Sequence, residues 1–263
     1  MSGLGRTGLS RFDGGRSGLD FSVPRFERFK WPKVVPELST GQQLIADDFM
    51  KYWHHELPRR YGAIEKFNHS YPVRHIPAVA RCRTLELGAG IGGHLAFEPL
   101  ERQDYHCIEL RESMAEEIRR RYPGVVTVTG DCQKRIPYDD AWFDRVVVIH
   151  VLEHLPDLPA AVAEVERVLK PGGTFSAVLP CDPGITYEIA RKVSAERLFK
   201  ARYKMPYRWL IRREHINSPA EILNVISRRF SIFNREYFPL IVPLVNLNLC
   251  IGVTARKVAR ASA

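Results

Sequence analysis

The segment TLELGAGIGGHL, residues 84–95, decides the fold of this chain. It begins as an apolar strand that carries an acid, Glu86, and turns at once into a loop with four glycines: Gly88, Gly90, Gly92 and Gly93. Glycine lets the backbone turn sharply and lets a ligand lie where a Cβ atom would collide. A strand, a glycine loop and a helix are typical of the nucleotide-binding corner of a doubly wound α/β sheet. Taken alone, the loop fits a dehydrogenase equally well.

Strand and helix patterns alternate along the rest of the chain. Apolar runs predict strands at residues 83–86, 105–109, 125–129, 145–150, 174–179, 232–237 and 247–256. Periodic apolar residues predict helices at residues 93–101, 113–121, 158–169 and 218–229. Such alternation indicates a parallel sheet with right-handed crossovers and helices on both faces. The chain is therefore predicted to form a doubly wound, mostly parallel α/β sheet of seven strands.

Two segments carry the formal net charge of +9. Residues 1–33 hold seven basic side chains against three acidic ones, and residues 181–217 hold nine against four. The rest of the chain is neutral, so the positive potential belongs to these segments and not to the fold. Because residues 1–33 are also rich in Gly and Ser and lack an apolar period, we predict a disordered basic tail there.

The remaining residues, 34–263, are predicted to form one domain. Its first part, residues 34–78, is expected to be a helical lid, with a helix over 39–60 and a less regular segment at 66–72. Five scattered cysteines without disulfide or zinc spacing favour the cytoplasm. The most apolar stretch, residues 238–253, is too interrupted by proline and asparagine for a membrane-spanning helix, which leaves only peripheral membrane contact open.

Acidic residues follow the second and third strands. Glu109 ends the second strand in YHCIEL, nineteen residues after Gly90, where its carboxylate can accept hydrogen bonds from both hydroxyls of a ribose. Asp131 opens the run GDCQKRIPYDDAWFDRVVVIHVLEHL, residues 130–155, in which the fourth strand ends at His150. An acid that binds ribose suits NAD and S-adenosylmethionine equally, so the complete order of motifs has to decide between them.

In that order the motifs resemble the class I S-adenosylmethionine-dependent methyltransferases, in particular their type 11 group. LELGAGIG looks like the first motif of the family, CIELRESM like its second-strand acid region and GDCQKRIPYDDAWFD like its adenine-side acid and the loop after it. HVLEHL and LKPGGTF resemble the signature after strand four and the turn into strand five. The resemblance covers residues 83–179 and implies S-adenosylmethionine as the cofactor and an antiparallel last strand.

The resemblance also implies a cofactor-binding set at the carboxyl ends of the first four strands: Glu86, Gly88, Ala89, Gly90, Gly92, Glu109, Leu110, Asp131, Cys132, His150 and Val151. In the family the glycine loop approaches the amino-acid part of the cofactor, and Glu86 would fix that loop or the ammonium group. Glu109 would hold the ribose, and Asp131 would accept a hydrogen bond from the adenine amino group. His150 and Val151 would line the methionine side of the cofactor. Near position 150 the family commonly has Asn or Ser, where this chain has His.

Methyl transfer from a sulfonium mainly requires alignment and desolvation, because the positive sulfur is already a good leaving group. An amine or phenol acceptor also needs a base or an orienting group. The candidates for these roles are His154, His69, His215 and Asp182. His150, Glu153 and His154 are similar to an ExxEH metal cluster, but the first carboxylate of that pattern is absent, so no metal is predicted.

The basic segment, residues 181–217, interleaves aromatic side chains with its cations and has two interpretations. It is either an amphipathic helical insertion that buries its aromatic residues, or a substrate cap that brings cations to an anionic group. Its position after the fifth strand favours the cap, because ligands bind at the carboxyl ends of the strands in open α/β sheets.

These observations predict a methyltransferase whose substrate is a small, anionic metabolite or a glycan or nucleotide-sugar precursor. An RNA methyltransferase is one alternative, since basic aromatic segments bind phosphates. The neutral core, the lack of a separate RNA-binding module and the absence of an NPPY tetrad argue against nucleic acid. A non-catalytic S-adenosylmethionine-binding protein is the other alternative, and the intact cofactor motif argues against it.

Overall fold

The protein, described by a computed structural model, has a seven-stranded sheet at its centre. The description covers residues 30–60 and 62–258, with residues 54–60 represented by their backbone only. The strands are β1 Cys82–Leu87, β2 Gln103–Glu109, β3 Val126–Thr129, β4 Phe143–Ile149, β5 Leu169–Pro180, β6 Phe230–Phe238 and β7 Cys250–Lys257. They lie in the order β3-β2-β1-β4-β5-β7-β6, and β7 runs antiparallel to β5 and β6. The other pairings are parallel, so the predicted doubly wound sheet with an antiparallel last strand is confirmed.

Helices cover both faces of this sheet. They are α1 Thr40–Arg60, α2 Gly62–Val73, α3 Glu112–Arg121, α4 Leu158–Val168, α5 Ile185–Val193, α6 Ala195–Tyr203, α7 Arg208–Glu214 and α8 Pro219–Ser227. On one face, α4 and α8 pack on side chains that share a register row across the strands, such as Leu85, Val146 and Phe175. All three side chains are at most 1% exposed, so this face is the apolar core of the domain.

The opposite face, under α2 and α3, is unusually polar. Arg145 of β4 is fully buried and makes two hydrogen bonds to Glu98, of 2.9 and 3.0 Å. Burial alone would raise the pKa of Glu98, but the hydrogen bond from His94 and the charge of Arg145 lower it to about 2. A buried ion pair of this kind needs satisfied partners on both sides, since either charge alone would be costly in the core.

Several predicted elements differ in the structure. The helix predicted at residues 93–101 is instead two short 3₁₀ turns, His94–Phe97 and Leu100–Arg102. Pro99 stands between them and disfavours helical geometry at the residue before it, while the side chain of that residue, Glu98, turns inward to Arg145. The segment at residues 66–72, predicted to be less regular, lies within α2. The fifth strand begins at Leu169 rather than 174, because LKPGG joins it as a bulged extension.

The N-terminal boundary also differs from the prediction. Residues 1–29 of the predicted disordered tail lie outside the described residues, whereas residues 30–33 pack against the domain. The backbone amide of Lys33 donates to the carbonyl of Pro156 at 2.8 Å, and its ammonium group pairs with Glu221. The tail therefore cannot extend to residue 33 as a disordered segment. No helix in the described part of the chain is long and apolar enough to cross a membrane.

The basic segment folds as three helices, α5 to α7. Its aromatic side chains Phe199, Tyr203 and Tyr207 surround Phe49 of α1, with ring centroids 5.1 to 6.1 Å apart. Phe49 and Phe199 are at most 3% exposed. This packing is what the amphipathic-insertion interpretation expects, and it ties the segment to the lid helix.

Candidate functional site

The glycine loop after β1 depends on residues without a Cβ atom. Gly88, Gly90 and Gly92 have φ angles of +67°, +57° and +79°, which L side chains rarely adopt. A Cβ atom on Gly88 would also lie 2.4 Å from Cγ2 of Val151, at the end of β4. The loops after β1 and β4 thus pack directly on each other.

Glu109 links this loop to the end of β2. One carboxylate oxygen accepts from the backbone amide of Gly90 at 2.8 Å, and the other accepts from that of Arg111 at 2.9 Å. The next residue, Leu110, is 62% exposed, so it offers an apolar surface beside the carboxylate. An acid with an exposed apolar neighbour suits a ribose and its attached base.

The third predicted position, after β3, is partly exposed. Oδ1 of Asp131 accepts hydrogen bonds from the backbone and the side-chain amide of Gln133, at 2.9 and 3.0 Å. The side chain of Cys132 lies in the apolar core, and burial raises the pKa of its thiol to about 12. Cys132 can therefore face a ligand with its backbone but not with a thiolate.

Glu86 lies in β1, directly before the glycine loop, and its side chain is buried. It is 3% exposed and accepts a hydrogen bond from the hydroxyl of Tyr105 at 3.0 Å. Burial raises the pKa of Glu86 to about 8, so its carboxyl is largely protonated at neutral pH. A neutral carboxyl is better suited to supporting the loop than to attracting an ammonium group.

Two of the predicted catalytic histidines come together beyond the end of β4. The rings of His154 and His215 lie 5.3 Å apart, although 61 residues separate them in the chain. Nδ1 of His215 is 2.7 Å from Oδ2 of Asp182, and Nδ1 of His154 is 2.5 Å from the backbone oxygen of Glu214. Both imidazoles are thus held through Nδ1.

His69, the third predicted catalytic histidine, occupies a different place. It lies on α2, beside Gly93, with Nε2 3.2 Å from Glu65 and its ring stacked on Phe97 at 5.0 Å. The neighbouring Tyr71 is fully buried, accepts from Thr254 and donates to Asn234. Tyr71 is therefore a packing residue.

Glu153, which is not among the predicted catalytic residues, is a buried acid that lies between His150 and His154. It is 1% exposed, and its Oε1 atom lies 3.3 Å from Nδ1 of His150 and 3.7 Å from Nε2 of His154. Burial by itself would raise the pKa of Glu153, but the neighbouring histidines lower it to about 2. The HxxEH spacing was its signal in the sequence. His150, Glu153, His154, Asp182 and His215 are called the histidine–carboxylate cluster below.

His150 has a strained backbone. Its φ angle is +52°, in the left-handed region that non-glycine residues seldom occupy. It directly follows β4 and precedes Val151, which packs on Gly88. Such strain often marks functional positions, and here the imidazole of His150 lies against Glu153, with Nδ1 3.3 Å from its Oε1 atom.

Comparison with known proteins agrees with this geometry. Residues 85–177 match the family model described as a methyltransferase domain. An uncharacterized methyltransferase of Mycobacterium tuberculosis, Rv3342, is 38% identical over 122 residues, 44% of this chain and 49% of the relative. The sterol 4-C-methyltransferase strm-1 of Caenorhabditis elegans is 28% identical over 65% of this chain and 52% of its own length. The chain thus spans about half the length of the curated relatives it matches.

Solved structures show the same fold. The PH0226 protein of Pyrococcus horikoshii has a TM-score of 0.59 and 16% identity, with 79% of this chain and 98% of that protein covered. Residues 85–177 are thus similar to methyltransferase domains, and the sheet has the fold of class I methyltransferases, for which the resemblance in sequence implies S-adenosylmethionine as the cofactor. The glycine loop, the acid at the end of β2 and the exposed Leu110 fit that cofactor.

Proposed function

We propose that this methyltransferase methylates a hydroxyl group of a small molecule that also has an apolar portion. One observation carries the proposal: the histidine–carboxylate cluster lies beside the cofactor-binding loops and is bordered by exposed aliphatic side chains. When bound, S-adenosylmethionine supplies an electrophilic methyl group on a positively charged sulfur. The chain has to align the acceptor, exclude water and remove a proton.

The cofactor would be held by the residues predicted for it. The open main chain of Gly88–Gly92 would receive the amino-acid part, and Glu109 would accept from the ribose hydroxyls. Leu110 would pack on the adenine, while Asp131 would accept from its amino group. His150 and Val151 would then face the methionine side, because Val151 packs directly on Gly88.

The proton of the acceptor would go to His150. Its Nδ1 atom faces the ionised, buried Glu153 at 3.3 Å, which fixes the imidazole with the proton on Nδ1. Nε2 lies 4.0 Å from the sulfur of Cys250 and has no shorter hydrogen bond within the described residues, so it is free to accept a proton. With a side chain 31% exposed, His150 is accessible to an acceptor at the strand edge.

An aliphatic ridge borders the cluster. It consists of Ile185, Ile189 and Val193 on α5, which are 59–65% exposed, and of Leu240, Ile241, Val242, Leu244 and Leu247 before β7. Its two parts are joined, since the hydroxyl of Thr186 donates to the carbonyl of Asn246 at 2.9 Å. The same helix faces the cluster with Tyr187, whose ring lies 5.9 Å from that of His215. An acceptor with a hydrocarbon portion would find apolar surface next to the reacting groups.

The predicted anionic acceptor has less support. Basic side chains of α5 and α6 form ion pairs with acids nearby, such as Arg191 with Glu196 and Arg202 with Asp48. The cluster itself contributes carboxylates, Glu153 and Asp182, which would repel an anion. One relative in the comparison is named for a sterol substrate. We therefore propose a neutral, hydroxylated acceptor of sterol or lipid type over a phosphorylated metabolite or glycan precursor.

The test is a transfer assay with methyl-labelled S-adenosylmethionine and three acceptor classes: hydroxylated sterols and lipids, nucleotide sugars, and RNA. We expect label in the first class only. His150→Gln should lower kcat by about 10²-fold or more, as expected for loss of a general base, and should change the affinity for S-adenosylhomocysteine far less than kcat. His75→Gln, outside the cluster, is the control. Turnover confined to nucleotide sugars or RNA, or an unchanged kcat in the His150 variant, would refute the proposal.

A further inference from the structure

We infer that Glu153, His154 and His215 form a binding site for a divalent transition-metal ion. One ligand atom from each lies within 4.8 Å of the other two. The sequence predicts no metal, because the first carboxylate of an ExxEH pattern is missing. In the structure the third ligand comes from His215, which the segment after α7 brings to the end of β4. The inference concerns ion binding and does not depend on which acceptor is methylated.

Both histidines have the arrangement of metal ligands. Nδ1 of His215 is 2.7 Å from the carboxylate of Asp182, and Nδ1 of His154 is 2.5 Å from the carbonyl of Glu214. These acceptors hold the proton on Nδ1, which leaves the lone pair of Nε2 for an ion in each case. Carboxylate or carbonyl partners of this kind typically orient histidines that bind metals.

Glu153 supplies the anionic ligand. Its Oε1 atom is shared between His150 and His154, whereas its Oε2 atom is buried and has no hydrogen-bond partner in the described structure. A buried carboxylate oxygen without a partner is costly, and a bound cation would satisfy it. The Glu153 carboxylate can therefore orient His150 through Oε1 and still offer its negative charge to an ion.

Two imidazoles and one carboxylate favour Zn²⁺, Co²⁺ or Fe²⁺ over Mg²⁺ and Ca²⁺, which prefer oxygen ligands. With metal–ligand bonds of about 2.1 Å, neighbouring ligand atoms lie about 3.4 Å apart. Oε1 of Glu153 and Nε2 of His154 are already close to that value, at 3.7 Å. His154 and Glu214 are 30% and 25% exposed, so an ion can enter from solvent and the remaining coordination positions stay open.

The test uses the full chain, freed of metal by a chelator and titrated with Zn²⁺ by calorimetry and with Co²⁺ by visible absorption. We expect one ion per chain and no comparable binding of Mg²⁺. His154→Ala and His215→Ala should each weaken binding by about 100-fold or more, and Asp182→Asn by about 10-fold to 100-fold. Glu153→Gln should also lose the ion; if its burial prevents folding, the partly exposed His154 still provides the test.

The control removes the two adjacent histidines of α1, as His54→Gln with His55→Gln, and should keep wild-type affinity. S-adenosylhomocysteine binding, measured on every variant, reports an intact cofactor site, so loss of the ion is distinguishable from failure of the methyltransferase assignment. The inference is overturned if wild-type protein binds Zn²⁺ and Co²⁺ no better than Mg²⁺. It is equally overturned if the α1 variant, and not the cluster variants, loses the ion.

Discussion

Glu86 illustrates, at the scale of one residue, how burial changes the chemistry of a motif. Its pKa is raised from 4.5 to about 8, mainly by desolvation. A carboxyl whose pKa is raised in the folded state stabilises the protein fully below pH 4.5, and this contribution is lost as the pH rises through 8. Between pH 4.5 and 8 the carboxyl of Glu86 stays protonated in the folded state and is ionised in the unfolded state.

Glu86→Gln should therefore make the free energy of unfolding less dependent on pH between 4.5 and 8. Relative to wild type, the variant should gain about a few kcal/mol at pH 8 compared with pH 5, since one pKa unit corresponds to about 1.4 kcal/mol. Urea unfolding at both pH values measures this difference.

Two controls accompany this prediction. Buried His94, whose pKa is lowered to about 4, contributes equally to the stability of both proteins, so its effect cancels in the comparison. Glu116→Gln, at an exposed position, should show no such gain. Parallel pH profiles for Glu86→Gln and wild type would contradict the assignment.

Glu109 is a second single residue whose replacement tests the site, because it is the proposed acceptor of the ribose hydroxyls. Glu109→Ala removes the acceptor of the amides of Gly90 and Arg111 and the proposed acceptor of the ribose hydroxyls. Affinity for S-adenosylhomocysteine should fall by about 100-fold, because hydrogen bonds to charged groups are worth about 1.5–3 kcal/mol each. Calorimetry measures the loss, and Glu112→Ala, an exposed acid on α3, should bind normally. An affinity unchanged by Glu109→Ala would refute the placement of the ribose.

At the scale of elements, α2 packs closely on the sheet at a glycine of β7. A Cβ atom on Gly252 of β7 would lie 2.5 Å from the ring of Tyr71, which is fully buried. Gly252→Ala should consequently destabilise the protein by about 1–3 kcal/mol, the usual cost of overpacking. Thermal and urea unfolding measure the effect. Gly124→Ala is a matched control, since nothing lies within 4 Å of its Cβ position. Equal stability of the two variants would show that α2 does not dock in this way.

The sequence predicts a helix, strand or loop correctly where neighbouring residues determine its structure. The glycine loop, the strands and the insertion helices follow from neighbouring residues, because strand periodicity and positive φ angles are local properties. The helix expected at residues 93–101 fails because Glu98 turns inward to a partner on β4, Arg145, 47 residues away. The meeting of His154 with His215 is equally long-range. Sequence patterns thus predict a cofactor half of the site, which stays a prediction, whereas the acceptor half depends on tertiary packing.

At the scale of the whole molecule, charge and apolar exposure coincide in one region. The segment with a surplus of five positive charges, residues 181–217, also carries the α5 part of the aliphatic ridge. Ile185, Ile189 and Val193 follow each other at intervals of four residues, so they form a single exposed stripe along α5. Ile241, in the part before β7, is 94% exposed. A surface of this composition is suited to a lipid aggregate, where aliphatic side chains enter the interface and cations face anionic headgroups.

We therefore expect the protein to sediment with vesicles of phosphatidylcholine that contain a minority of phosphatidylglycerol. Replacing Ile189 and Ile241 by Ser together should reduce the bound fraction by about 10-fold or more, since burying one such side chain contributes about 1.5–3 kcal/mol. Val34→Ser, at a 95% exposed position outside the ridge, is the control. All three positions are exposed, so unfolding temperatures should not change. If the double variant binds like wild type and high salt alone releases both, the basic charges bind the vesicles without the ridge, and the proposed route for an apolar acceptor is wrong.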